Sequence, residues 1–356
     1  MCRTVSEALT GSSEIAAPAQ LPEQTMPFLI SPARTLTCGG LIFVSALLAA
    51  CGGSGDVSSI VAAPADQLVT TTVAGFPHAV DVYNTAGATR AIVLLHGGGG
   101  NKSAIAFQLG LNASATTTTF STINWAWLDA NKVVVVVPQG QNLPTEPNGT
   151  TWSNYAMYSG QDDSAFLQAL AAKIRTEYGV SSIAVMGHSM GGVMANRMWC
   201  ESPTTFNAYI SLAGPASAEF HRTAACNPGA DARPYLGIIG DSDEVMQTTG
   251  NWSAPTWTVS PILVRAAASE WDYDIVINEF VQQQSRTAIT CAATLPADGF
   301  VTVGNVDTWT SCGGRLVLDR VQGAEHAIDS IDAQLGAAST MDVINTAIRF
   351  LSAQQP

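Results

Sequence analysis

Short apolar segments recur along the chain after residue 75, and segments of mixed polarity separate them. Several are unbroken runs of Val, Ile and Leu, such as AIVLLH at 91–96 and KVVVVVP at 132–138. Such runs are typical of strands that are buried on both faces of a parallel sheet. The predicted strands are 78–84, 91–96, 132–138, 182–188, 208–214, 235–240 and 315–321.

Helical periodicity fills several of the segments between these strands. Residues 162–179 begin with Asp162 and Asp163, which we interpret as helix-capping and structural residues, and end at Gly179. Apolar residues recur there at helical spacing: Phe166, Leu167, Leu170 and Ile174. Further helices are predicted at 190–201, 261–271 and 338–354. The alternation of strands and helices predicts an α/β fold with a doubly wound, mostly parallel sheet flanked by helices.

The composition narrows the range of partners. Of the 356 residues, 47% are hydrophobic and 12% are charged, which suits a large folded core. The formal net charge is −13, and an acidic surface argues against nucleic acid, because phosphate binding needs a basic patch. The same charge disfavours strongly anionic substrates, so a neutral substrate is expected.

The N-terminal region is expected to carry an export signal. Residues 41–50 are mostly apolar, and no acidic residue lies between Arg34 and Cys51, as expected for a signal peptide at 1–50. The sequence LAAC ending at Cys51 resembles the lipobox of bacterial lipoproteins, which implies lipidation of Cys51. The alternative is an ordinary secretory signal.

The chain is expected to consist of a signal peptide, a tether and a catalytic domain. Because Met26 would give a signal of normal length, residues 1–25 are a candidate for a misassigned start. Residues 51–70 are small and polar and are expected to form a flexible tether. Residues 71–356 then form the catalytic domain. We expect a protein anchored by lipid to the bacterial envelope or secreted, with no other membrane contact.

Four cysteines follow the tether. They are Cys200, Cys226, Cys291 and Cys312, and four cysteines allow three pairings. Export permits disulfides, and we favour Cys200–Cys226 with Cys291–Cys312, because these pairings close the shortest loops. Without a CxxC motif or a His/Cys cluster, no metal site is expected.

The segment VMGHSMGGVMANRM at 185–198 places Ser189 between a predicted strand and a predicted helix. It contains the pattern Gly-x-Ser-x-Gly, in which a sharp turn exposes a nucleophilic serine. Small residues are needed at both glycine positions because the strand and the helix approach closely there. Ser189 is therefore the predicted nucleophile.

A serine nucleophile needs a base, and chain order points to one of the five histidines. His78 and His96 precede the serine, and His96 is better interpreted as a loop anchor. His188 is too close along the turn, and His221 precedes the acid. His326 follows the last predicted strand and is the predicted base.

The orienting carboxylate is expected in GDSDEV at 240–245, which ends a strand. Asp243 is favoured because it lies beyond the strand end, and Asp241 remains the alternative.

An oxyanion hole needs two N–H donors. One is expected from Met190, and the other from the glycine run at 97–100, with Gly98 favoured and Gly97 or Gly99 as alternatives.

Taken together, these motifs resemble the secreted polyhydroxybutyrate depolymerase and feruloyl esterase family of α/β-hydrolases. The segments that carry the resemblance are LLHGGGGNKS at 94–103, Trp152 with QDDSAF at 161–166, the serine turn, GDSDEV at 240–245, Cys291 with Cys312, and GAEH at 323–326. The resemblance spans residues 75–354 and implies an α/β-hydrolase fold. The His-Ser-Met turn is also similar to that of cutinase-like polyester hydrolases.

Aromatic residues near the predicted site are candidates for substrate binding. Trp152 and Tyr155 follow a strand on a loop that should pass near Ser189. Trp252 and Trp257 lie just beyond the predicted acid and could offer a flat docking surface for a polymer. The alternative for both pairs is ordinary packing.

The sequence thus predicts a serine carboxylic ester hydrolase that works through an acyl-enzyme without a cofactor. Its expected substrate is a neutral polyester of the hydroxyalkanoate type or a feruloyl ester. The alternatives are an envelope acyltransferase on the same fold and a non-catalytic surface-binding lipoprotein. The oligomeric state is left open.

Overall fold

The computed structural model describes residues 65–143, 146–154, 159–214, 233–243, 245, 299–336 and 341–354. All of these residues belong to one compact unit, residues 60–356. The strands are β1 (Gln67–Thr72), β2 (Ala79–Asn84), β3 (Arg90–Leu95), β4 (Val133–Pro138), β5 (Gln141–Leu143), β6 (Glu146–Thr151), β7 (Ser182–His188), β8 (Ala208–Leu212), β9 (Tyr235–Gly240), β10 (Val301–Val303), β11 (Val306–Ser311) and β12 (Leu316–Val321). The helices are α1 (Lys102–Gln108), α2 (Trp125–Asn131), α3 (Asp163–Tyr178), α4 (Met190–Glu201), α5 (Ile328–Leu335) and α6 (Asp342–Ala353).

Ten of these strands form one sheet in the order β1-β2-β4-β3-β7-β8-β9-β12-β11-β10. The middle strands, from β4 to β12, pair in parallel. The outer strands pair antiparallel. Because the ends of parallel strands meet at one edge, the loops after β3, β7, β9 and β12 lie on the same side of the sheet.

Both faces of the sheet are covered, as the unbroken Val runs predict. In β4, Val133, Val135 and Val137 pack into one core, while Val134 and Val136 pack into the other. The first core also holds side chains of α1, α2, α5 and α6, and the second holds those of α3 and α4. The predicted doubly wound α/β fold is confirmed.

Most predicted elements are found within two residues of their expected ends. The helix predicted at 261–271 lies outside the described residues. The sequence did not predict β1, β5, β6, β10, β11, α1, α2 and α5, which are all eight residues or shorter. Elements this short span about two turns of helix at most, or a few residues of strand, so they show too few repeats for a period to stand out.

The domain begins earlier than the sequence suggested. Residues 67–70, assigned to a flexible tether, belong to β1, which pairs with β2 in the register Gln67↔Asn84 to Thr72↔Ala79. The sequence QLVTTT is polar because β1 is an edge strand, and its backbone hydrogen bonds come from β2. Among the described residues, no helix combines the length and the apolar composition that a membrane crossing requires.

Candidate active site

Ser189 occupies a strained turn between β7 and α4. Its backbone has φ 53° and ψ −119°, an unusual conformation for a residue with a side chain, which costs about 1–3 kcal/mol. A Cβ atom on Gly187 would lie 2.0 Å from the carbonyl oxygen of Gly191, and one on Gly191 would lie 2.3 Å from that of Leu95. Both flanking glycines are therefore required by close backbone contacts.

The turn presents Ser189 at the start of a helix. The Ser189 N–H donates to the Leu212 carbonyl at 2.9 Å, which ties the turn to β8. Met190 is the first residue of α4, so its N–H has no acceptor within the helix. The buried side chain of Asn154 donates to the Met190 carbonyl at 3.0 Å and holds this first turn. The helix terminus thus offers an N–H group and a partial positive charge beside the serine.

The predicted acid and base meet in the structure. The Asp243 Oδ2 lies 2.8 Å from the His326 Nδ1, and Asp243 is fully buried. The neighbouring strand ends explain this contact, because Gly240 of β9 pairs with Val321 of β12 and both loops continue from there. A carboxylate can only accept, so the His326 Nδ1 carries the proton and its Nε2 is left as the basic nitrogen.

Asp241 has a different role from Asp243. Its Oδ1 accepts the N–H of Gly323 at 2.7 Å and so joins the loop after β9 to the loop after β12. The sequence left both carboxylates open as the partner of His326. The structure separates them, because Asp243 contacts the imidazole and Asp241 contacts backbone.

The glycine run after β3 faces the serine. A Cβ atom on Gly97 would lie 3.2 Å from the Ser189 Cβ. The N–H of Gly99 donates to the Thr150 carbonyl at 2.7 Å, and that of Gly100 donates to the Gly97 carbonyl at 3.1 Å. Gly99 is therefore excluded as an oxyanion donor. Within the described residues, the N–H groups of Gly97 and Gly98 have no hydrogen-bond partner.

His96 anchors this glycine run, as the sequence reading proposed. Its Nδ1 lies 2.8 Å from the Gly97 carbonyl, and its Nε2 accepts the N–H of Gly140 at 2.9 Å. These contacts define a neutral ring with the proton on Nδ1. Burial lowers the pKa of His96 to about 4.

The lowered pKa of His96 predicts a pH-dependent stability. Between pH 6.5 and 4 the unfolded chain binds a proton at this residue and the folded chain does not, so the free energy of unfolding falls as the pH falls. Protonation of His96 in the unfolded chain lowers the free energy of unfolding by about 3 kcal/mol over this range. We expect His96→Gln to be less stable than wild type at pH 7 and the gap to narrow towards pH 4.

Urea unfolding at half-unit pH steps measures the effect. The comparison with His96→Gln cancels other titrating groups, such as Asp332, whose pKa burial raises to about 6. Parallel stability curves for the two proteins would contradict the prediction.

Trp152 is not a substrate-binding residue. Its side chain is fully buried, and its indole N–H donates to the His96 carbonyl at 2.9 Å. The ring packs near His78, with the ring centroids 6.1 Å apart. Trp152 therefore supports the glycine run from below, and the packing alternative is the correct one.

Asp163 has a structural role, as expected, but as a buried carboxylate and not as the helix cap. Its oxygens contact the His78 Nε2 at 2.7 Å, the Ser153 N–H at 2.5 Å and the Ser159 hydroxyl at 2.6 Å. The cap of α3 is Asp162, which accepts the N–H of Ala165 at 3.0 Å. Asp163 thus links α3 to the segment that carries Trp152.

Replacing Asp163 is expected to destabilise the protein. In Asp163→Asn one amide N–H faces a buried donor, so we expect a loss of about 2–4 kcal/mol in the free energy of unfolding. Asp162→Asn is the matched control, because Asn caps helices as well as Asp and the site is exposed. Urea unfolding compares the two, and equal losses would refute the proposed role of Asp163.

Several predicted residues lie outside the described part of the chain. They are Cys51, Tyr155, Cys226, Trp252, Trp257 and Cys291. Cys200 and Cys312 are disulfide-bonded. Which cysteines they pair with stays a prediction. Within the described residues, no group of three or more His, Cys, Asp or Glu is arranged to hold a metal ion.

These features define a hydrolase built on an α/β sheet. The chain belongs to the alpha/beta hydrolase family, whose profile matches residues 92–340. Similar solved structures include TT1662 from Thermus thermophilus, with 12% identity over 81% of this chain and 98% of that chain and a TM-score of 0.46. A ferulic acid esterase has 14% identity over 82% of this chain and 98% of that chain, with a TM-score of 0.46. S-formylglutathione hydrolase (FrmB) from Staphylococcus aureus has 11% identity over 81% of this chain and 98% of that chain, with a TM-score of 0.43. A comparison with curated protein sequences gave no match.

Proposed function

We propose that this protein hydrolyses carboxylic esters through an acyl-enzyme on Ser189. The observation that carries the proposal is the buried Asp243–His326 contact of 2.8 Å beside a strained serine turn. A carboxylate that holds the Nδ1 of an imidazole leaves Nε2 to act as a base. A serine held at φ 53° is expected to be strained for function, since packing alone has no need of that conformation.

The reaction follows from these positions. The Ser189 oxygen attacks the ester carbonyl while His326 takes the serine proton, and Asp243 stabilises the resulting imidazolium. The N–H of Met190 and that of Gly98 hold the oxyanion, with Gly97 as the alternative to Gly98. His326 then protonates the leaving alcohol. Water, deprotonated by His326, releases the acyl group and restores Ser189.

For the substrate we propose a neutral ester, either a hydroxyalkanoate polyester or a feruloyl ester. The net charge of −13 disfavours anionic substrates, and the sequence motifs resemble those of polyhydroxybutyrate depolymerases and feruloyl esterases. Initial rates on methyl ferulate and on a soluble 3-hydroxybutyrate oligomer, with Ser189→Ala as the blank, test this proposal. Activity on neither ester above the blank would refute it, and the faster substrate would assign the class.

We further propose that the protein is exported and anchored by a lipid on Cys51. The apolar run at 41–50 and the small residues before Cys51 support this placement. Partition of wild type into a detergent phase, with Cys51→Ala left in the aqueous phase, is the expected result. Equal partition of both proteins would argue against the lipid.

A further inference from the structure

His188 precedes the nucleophile, and the reaction proposed above does not use it. Its side chain is 9% exposed, and its Nε2 lies 2.9 Å from the backbone carbonyl oxygen of His326. A carbonyl can only accept, so the proton of His188 lies on Nε2. Burial lowers the pKa of His188 to about 4, which keeps the ring neutral at pH 7.

The loop that carries His326 is short and is held from several sides. It connects the end of β12 at Val321 to the start of α5 at Ile328. The acid loop anchors its first half, since Gly323 donates to Asp241 and Ala324 accepts from Ser242. The second half differs, because the contact from His188 fixes the backbone of His326 itself.

Two hydrogen bonds therefore position the predicted base. The Asp243 carboxylate sets the rotation of the His326 ring. The bond from His188 sets the position of the His326 backbone relative to Ser189, the residue that follows His188. The two imidazole rings lie 5.0 Å apart, and the hydrogen bond joins the residue before the nucleophile directly to the predicted base.

An apolar side chain at position 188 would fill the same space but would donate no hydrogen bond to the His326 carbonyl. It would leave the His326 carbonyl unpaired in a partly buried position, and the loop would shift to find another donor. A shift of about 1 Å between reacting groups can cost about a hundredfold in rate. A neutral donor at this position also adds no charge next to the imidazolium that forms on His326 during the reaction.

We propose that His188 is a positioning residue that sets the distance between Ser189 and His326 through its hydrogen bond to the His326 carbonyl. The inference rests on the proposed function, in which His326 is the base for Ser189. It predicts that the hydrogen-bond donor at position 188 matters, and not the imidazole as such.

Two variants of the full chain separate the donor from the volume. His188→Met keeps a similar volume without an N–H, and His188→Gln offers an amide N–H at about the same distance from the backbone. The measurements are kcat and KM on p-nitrophenyl butyrate and the rate of fluorophosphonate labelling of Ser189 across pH 5–9. Arg175→Met is the matched control, because it removes a 2.7 Å bond to the Thr205 carbonyl away from the site.

We expect His188→Met to lower kcat and the labelling rate roughly 10- to 100-fold with little change in KM. His188→Gln should recover most of both rates, to within about fivefold of wild type. Arg175→Met should lower the melting temperature without changing the labelling rate. Wild-type rates in His188→Met, or equal losses in the Met and Gln variants, would overturn the inference.

Failure of the proposed function gives a different result. A wild-type protein that reacts with the fluorophosphonate but hydrolyses no ester above the Ser189→Ala blank would refute ester hydrolysis. The labelling rates of the Met and Gln variants would still decide the role of His188, because labelling needs only the activated serine.

Discussion

Ser189→Ala is expected to lower kcat on any ester substrate by about 10⁵- to 10⁶-fold, because removing the nucleophile of a catalytic triad leaves only binding and oxyanion stabilisation. The proposed reaction forms a covalent bond to the Ser189 oxygen. Steady-state kinetics and fluorophosphonate labelling both measure the loss. Labelling should disappear completely.

The fold should survive this change, since Ala keeps the Cβ atom and loses a single oxygen from a residue that is 9% exposed. Wild-type and Ser189→Ala proteins should therefore unfold within a few degrees of each other. A variant that keeps about 1% of wild-type kcat, while folded, would show that another group performs the attack.

Asp243→Asn is expected to lower kcat by about 10³- to 10⁴-fold. In this variant the amide N–H faces the His326 Nδ1, which favours the ring with its proton on Nε2. That nitrogen could then no longer accept the serine proton. The labelling rate of Ser189 should fall in parallel with kcat, because both depend on the same proton transfer.

Asp241→Asn is the matched control for this prediction. Asp241 lies on the same loop two residues earlier, and an Asn oxygen can still accept the N–H of Gly323. Its kcat should stay within about threefold of wild type, because the change removes a charge without contacting the imidazole. If the two variants lost equal activity, the loop as a whole, and not the carboxylate at 243, would be responsible.

Local sequence was sufficient wherever a few adjacent residues impose the geometry. The turn at Ser189 is an example, because a Cβ atom added to Gly187 or Gly191 would lie only 2.0 or 2.3 Å from a backbone carbonyl oxygen. The unbroken valines of β4 are another, since they predict a strand covered on both faces. Chain order then placed His326 after the last parallel strand.

Pairing between distant segments decided what local patterns left open. The sequence offered both Asp241 and Asp243, and the parallel register of β9 and β12 aims one at the imidazole and the other at backbone. The sequence also left Gly97, Gly98 and Gly99 as donors. A bond to Thr150, about fifty positions away, removed Gly99.

Burial decided the roles of side chains whose chemistry suits more than one environment. Trp152 suited a substrate pocket and Asp163 a helix cap, but both side chains are fully buried. His188 was set aside as a base, and its bond to His326 spans 138 positions. An aromatic, acidic or imidazole side chain has the same letter in the sequence whether it meets solvent or core, and its partners are fixed only when the sheet assembles.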